Sequence, residues 1–399
     1  MVKISTQTDL LTEDILIMIF TYLPLNSIFK FKCICKLWLS VLTKPDFMTK
    51  WFHFNTINKS LPWIQVHNSF SHRKNDPLKL MYRIAYSDLN FQLGFLKSNP
   101  FGGKLHLLGS SNGLLLCKSV SSVDEMSTYY VCNPLTAKWV SIPSPPQSKG
   151  LGVTGFFCEN SSSCSSLSYF KVVHIPSFEM PSKEFNIDIF SSDLDEWISC
   201  EVSCSQYIEW NVPLINNVIT HNGVVYWIEG RNRILVYDLS NNTTVGGQCS
   251  LIYLPEEEFD GFIRAPNPFH TSRSQFLGES EGLICYARIS RNQRTLSVWV
   301  LEEDNWQSVH EDIELQDISA KKESRMVEGA IQVLGFSPVD RDIVLLGCKN
   351  YVWGFSMQTR RSEELSYPSF SANTHSDSGD IMLLPFVLKP MPTLLPPPF

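Results

Sequence analysis

The chain has 399 residues, 43% of them hydrophobic, which supplies a sizeable core and allows two or three ordinary domains or one large all-β domain. A net charge of -7 with a pI near 5.8 leaves no electrostatic footprint for nucleic acid, and no run reaches the roughly 18 apolar residues of a membrane-spanning helix. Eleven cysteines, an odd number without framework spacing, read as reduced and partly buried thiols; with no leader-like N-terminus, this places the chain in the nucleus or cytoplasm.

Residues 11 to 51 read as three short helices with almost no polar face. Thr12 is placed to cap the first, and Glu13 and Asp14 put negative charge in its first turn, where the helix dipole favours it. The run Ile15 to Phe20 is apolar on every side, so the helix is buried or covered by something else. Pro24 breaks it, having no amide donor. The second helix carries Leu25, Ile28, Phe29 and Phe31. The third carries Ile34, Leu37, Trp38, Val41 and Leu42 at helical spacing and is expected to stop at Pro45. About forty residues are near the lower limit for burying a core, so this piece either docks on the rest of the chain or lays an apolar face into another protein's groove.

Leu11, Ile15, Ile19, Leu23, Pro24, Leu25, Ile28, Phe31, Cys33, Cys35, Lys36 and Trp38, with Phe47 after Pro45 and Asp46, resemble the F-box motif of plant F-box proteins over its whole length. Family members commonly begin with Leu-Pro; here Thr12 follows Leu11. The resemblance implies binding to a Skp-type adaptor, and through it a cullin, with Leu11, Ile15, Ile19, Leu23, Pro24, Leu25, Ile28 and Trp38 as the adaptor-binding residues.

From about residue 60 the texture changes to short β-rich runs between turn residues. Runs starting at Gly113, Ser168, Gly223, Gly282 and Asp342 are spaced by 55, 55, 59 and 60 residues, which is a repeat. Each is followed by a second strand, and a further strand often opens with tryptophan, at Trp139, Trp197 and Trp306. With the run before each glycine, every unit holds four strands, the pattern of a propeller blade. The fragments 78 to 96 and 380 to 388 are left over and together supply a sixth blade shared by both ends, which closes the ring. The alternative is a β-sandwich with irregular insertions. Gly109 to Cys117, followed by Val131 to Trp139, is similar to the opening of the plant F-box-associated domain, a kelch-like propeller. The reading is therefore mainly β with a small α-helical N-terminal domain: a three-helix F-box at 1 to 51, a six-bladed kelch-like β-propeller at 60 to 389, and a tail at 390 to 399. That tail, with five prolines in ten residues, is expected to be extended and loosely held.

No catalytic residues, cofactor or metal site are expected. Gly109-Ser110-Ser111-Asn112-Gly113 matches a nucleophile elbow literally, but an elbow needs a helix after its serine and here a strand follows. His221-Asn222-Gly223 holds the same place two units later, so the shared feature is a turn. The histidines show no metal spacing. Longer connections at 118 to 128, 158 to 168, 255 to 275 and 316 to 328 are the candidates for holding a protein target. The third contains Phe259, Phe262, Arg264 and Phe269, residue types enriched at hot spots. The favoured function is a non-catalytic substrate-recognition subunit of a Skp-cullin-F-box ubiquitin ligase, without nucleic-acid or membrane partners. The alternatives are a propeller enzyme or small-molecule sensor with accessory helices, and an F-box scaffold acting outside a ligase.

Overall fold

The computed structural model describes residues 12–61, 63–68, 79–82, 104–120, 127–146, 152–158, 169–178, 180–209, 218–229, 232–239, 247–255, 274–290, 292–327, 329–348, 351–365, 382–388 and 393–395. Helix α1 spans Glu13–Thr21, α2 Leu25–Lys32, α3 Lys36–Leu42 and α4 Pro45–Ile57. There are thus four helices where the sequence suggests three. Pro45 does not merely stop α3; it is the first residue of α4, where its missing N–H is one of those that have no acceptor within the helix anyway. Thr12 is the N-cap residue of α1, yet its side chain makes no capping bond, and Glu13 and Asp14 supply the first-turn charge. Cys35 does cap α3, its Sγ accepting from the Trp38 amide at 3.4 Å.

Phe20, Phe31 and Trp38 meet ring to ring at 5.2 to 5.9 Å in the helical core. Trp51 of α4 is fully buried and donates its indole N–H to the Leu23 carbonyl at 3.2 Å, tying α4 to the end of α1. The same apolar cluster continues through Leu61 and Trp63 to Leu107, Leu115, Phe386 and Leu388, so the helices are packed on the β region. A polar contact reinforces this: Lys59, just after α4, lies 2.7 Å from Asp340 and 3.1 Å from Glu281, and Glu281 also binds Arg341 at 2.8 Å. Burial pushes the Glu281 carboxyl up, but its bonds to Lys59 and Arg341 outweigh that and hold it below the usual range. A depressed carboxylate contributes stability above its unfolded value that is lost as pH falls through its folded value. The melting temperatures of wild type and Glu281→Gln should therefore differ at pH 6 and converge below about pH 4. A gap that persists at acid pH rules out a role for this carboxylate charge.

Strands β1 (Trp63–Asn68) and β2 (Lys79–Tyr82) come first. Five four-stranded units follow. They are β3 to β6 (Lys104–Ser111, Leu114–Val120, Ser127–Asn133, Lys138–Ile142) and β7 to β10 (Val153–Cys158, Phe170–Ile175, Ser182–Ser191, Glu196–Ile208). Then come β11 to β14 (Val218–His221, Val224–Glu229, Arg233–Asp238, Gly247–Tyr253) and β15 to β18 (Gln275–Ser280, Leu283–Ile289, Thr295–Glu302, Asn305–Glu314). The last is β19 to β22 (Gln332–Phe336, Ile343–Cys348, Tyr351–Ser356, Arg361–Glu364), and β23 is Met382–Val387. Every unit is an antiparallel meander, and a short parallel pairing of Val202 to Cys204 with Gly247 to Cys249 fuses the second and third. The first strands adjoin in sequence, β3 to β7 to β11 to β15 to β19, and β23 lies beside both β19 and β3. This is a propeller-like ring.

The two ends of the β region share a sheet. β23 pairs antiparallel with β1, from Trp63 opposite Val387 to Asn68 opposite Met382, and β2 adds to the other edge of β1. The expected strand at 91 to 96 lies outside the described residues. Tight hairpins join first to second strands at Asn112-Gly113, Asn222-Gly223 and Glu281-Gly282, all with left-handed φ between 47° and 81°. Such a two-residue turn matches the twist of the strands it joins. Gly109 to Gly113 is therefore a hairpin, and Ser111 Oγ accepts from the Cys158 amide at 3.0 Å.

Two expectations are corrected. Residues 316 to 324 form a helix, α5 (Gln316–Ser324), not an open loop: Asp317 and Lys321 pair at 2.9 Å one turn apart, Ile318 is fully buried, and Asp317 accepts the Ser362 amide of β22 at 2.7 Å. Nor is the tail loosely held throughout, because Thr393 and Leu395 contact the first unit.

Candidate protein-docking faces

Helix α1 has two apolar sides. Leu16, Ile17 and Phe20 turn inward and are buried. Ile15, Met18, Ile19 and Tyr22 are 37, 58, 44 and 66% exposed. Their spacing of i, i+3, i+4 and i+7 lines them along one face of the helix. Tyr22 stands edge-on to Phe54 at 4.5 Å, which continues the face onto α4. Ile34, Leu37 and Leu39, around the start of α3, are also exposed. A row of large apolar side chains left in water on a helix that already has a core face marks an interaction site.

The residues singled out by the sequence divide over this geometry. Ile15 and Ile19 lie on the open face, and Pro24 is exposed where α2 begins. Leu23 and Trp38 are half-buried, packed against the core. Leu25 and Ile28 are 2% and 0% exposed, so they sit in the packing that shapes the face and offer no surface to a partner. Leu11 lies outside the described residues. Met18 and Tyr22 were absent from the sequence-based set; their one available signal is the i+3 and i+7 spacing from Ile15.

On the β region, Phe259, Phe262, Arg264 and Phe269 lie outside the described residues, as does most of 158 to 168. Topology still separates two ends. In an antiparallel four-stranded meander, the first-to-second and third-to-fourth turns share one end. The fourth strands leave by the other. Glu281 and Asp340, which hold Lys59, are in first-to-second turns, so the helices sit at that end. The long connections between units, including 255 to 274 and the one holding α5, emerge at the opposite end. Among the described residues no group of three or more His, Cys, Asp or Glu could hold a metal ion, and no helix is long and apolar enough to cross a membrane.

The thiols inside the sheets are shielded. Burial pushes Cys285 up to about 12, and Cys132, buried beside Cys117, is raised well above its ordinary value, chiefly by its bond to that thiol. Groups raised this far are protonated at neutral pH and poor nucleophiles.

Comparison with known proteins agrees with this division. A model of the F-box domain matches residues 9–50, and a model described as "F-box protein At3g26010-like, beta-propeller" matches residues 81–378. The chain is 27% identical over 323 residues to F-box protein At5g49610 of Arabidopsis thaliana, covering 77% of this chain and 80% of that one. It is 24% identical over 387 residues to F-box protein At5g03970 of the same plant, covering 91% and 85%. A third relative, putative F-box/kelch-repeat protein At4g22430 of Arabidopsis thaliana, is 25% identical over 377 residues, covering 89% and 80%. The first model covers the helices and the second most of the ring of four-stranded units, and the chain belongs to the At3g26010-like family of F-box proteins with a β-propeller.

Proposed function

We propose that this chain is the substrate-recognition subunit of a Skp-cullin-F-box ubiquitin ligase, acting in the nucleus or cytoplasm. The observation that carries the reading is the open line Ile15, Met18, Ile19 and Tyr22 on a helix whose opposite side is core. The helical part, 1 to 51 with α4 continuing to Ile57, takes the Skp-type adaptor and through it the cullin. The β region, 60 to 389, takes a protein to be ubiquitinated and degraded, at the end away from the helices, where the long connections emerge. Ubiquitin transfer belongs to other subunits; this chain positions and does not catalyse.

The test changes exposed residues only. Met18→Asp with Ile19→Asp removes two apolar contacts, each contributing about 1.5–3 kcal/mol if fully buried by a partner, and places charge in the contact. Adaptor and cullin recovery from cells should fall by at least about 100-fold, with the melting temperature of the free chain unchanged. Undiminished recovery sinks the assignment. Leu23→Ala with Pro24→Ala is a less clean probe, because the Leu23 side chain packs on the core.

A further inference from the structure

At the first four-stranded unit the chain binds its own C-terminal segment as a partner would. Asn133, at the end of β5, is fully buried. Its Oδ1 accepts from the Leu135 and Thr136 amides at 2.8 and 3.3 Å, which fixes the carboxamide and aims Nδ2 outward. That N–H donates to the Thr393 carbonyl at 2.7 Å. Thr393 Oγ1 in turn donates to the Asn112 carbonyl in the β3–β4 hairpin. Beside it, a Cβ on Gly113 would come within 3.2 Å of that hydroxyl, so the bare glycine backbone leaves the room that the threonine uses. Two residues on, Leu395 packs against the cluster formed by Leu114, Tyr129, Val131, Phe156 and Phe170.

We propose that this groove is a peptide-binding site for an extended Thr-x-Leu segment, and that the chain's own residues 393 to 395 fill it as a removable internal ligand. The site reads three features: a backbone carbonyl, a hydroxyl and, two residues later, an aliphatic side chain. An amide held in one orientation by its own turn is ready to pair with an incoming carbonyl without reordering. The prolines that flank the segment in sequence, Pro392 and Pro396 to Pro398, favour an extended backbone and so reduce the ordering needed to bind. Two side-chain hydrogen bonds and one half-buried leucine hold the segment, few enough for a competing peptide to displace it. This inference does not depend on the ligase reading.

The experiment uses a fluorescent peptide of residues 391 to 399 and measures its anisotropy with three proteins. These are the intact chain, the chain ending at Lys389, and the intact-length variant Thr393→Val with Leu395→Ala. The two altered proteins should bind the peptide saturably, the intact chain at least tenfold more weakly. A peptide with the same two substitutions should lose at least tenfold on every protein. If the chain ending at Lys389 does not fold, the double variant decides alone. Absence of saturable binding to a folded altered protein, equal binding by the substituted peptide, or equal binding by the intact chain overturns the proposal. So does loss of cooperative melting in both altered proteins, which would make the segment part of the fold.

Discussion

Ending the chain at Ser378 should abolish cooperative folding of the β region. The cut removes β23, and with it Phe386 and Leu388, which are 1% and 0% exposed. Those two side chains alone contribute about 3–6 kcal/mol of burial, a large part of the 5–15 kcal/mol typical of a whole domain. The ladder to β1 is lost too, and the inner edges of β3 and β19 lose the strand between them. Open edges of that kind pair with other chains. The expected result is aggregation or a broad, non-cooperative melt. A chain ending at Lys389 keeps β23 and loses the Thr393 and Leu395 contacts, a penalty of about 1–3 kcal/mol that should lower the melting temperature by only a few degrees. If losing 379 to 399 leaves the melting temperature unchanged, the ring is not closed by its two ends.

Trp51→Ala should unfold the helical part and with it remove adaptor capture. Trp51 is the largest buried side chain there, and truncating a buried tryptophan costs about 3–5 kcal/mol. The change also leaves the Leu23 carbonyl without its indole donor. A core this small rarely supplies more than about 3–5 kcal/mol, so the single substitution is comparable to everything holding α1 to α4 together. Trp51→Phe keeps most of the volume and should restore much of the stability. The check is a loss of helical circular dichroism and of adaptor recovery in Trp51→Ala, while the melting transition of the β region remains. Full helical signal and full recovery in that variant would show that packing on the ring, through Leu61 and Trp63, sustains the helices instead.

The period of the repeats is legible because the first four units carry local marks. Asn112-Gly113 and Asn222-Gly223 announce hairpins by composition, and Trp139, Trp197 and Trp306 mark fourth strands. Glu281-Gly282 makes the same turn without the asparagine, so only its spacing betrays it. The sharing of one sheet by the two ends could be read from leftover fragments, but β1 was not singled out. Its six residues follow a helix with no glycine before them and find their partner at the far end of the sequence.

The docking face was legible only in part, for a different reason. An apolar run such as Ile15 to Phe20 says that both sides of a helix are covered, not which side is covered by the chain itself. Spacing therefore could not separate Leu25 and Ile28, which are core, from Ile15 and Ile19, which are open. Met18, inside the same apolar run, carries no separate signal either. Pro45 carries two meanings, since it ends one helix and suits the first position of the next. The tail's anchoring was invisible for want of any local signal: Asn133 and Thr393 meet through the fold and share no pattern in sequence.

The pairing of β1 with β23 also sets an order of events during synthesis. A ribosome delivers α1 to α4 and β1 before the five four-stranded units and β23 after them, so the helices are complete long before the ring can close. Throughout most of that interval β1 and β3 wait with an edge unfilled, and β19 joins them near its end. A chain cut short anywhere between Ile57 and Met382 carries all four helices and an unclosed ring. The open edges of such a product would mark it for chaperones and degradation. Closure of the ring therefore waits on a strand that follows all five four-stranded units in sequence.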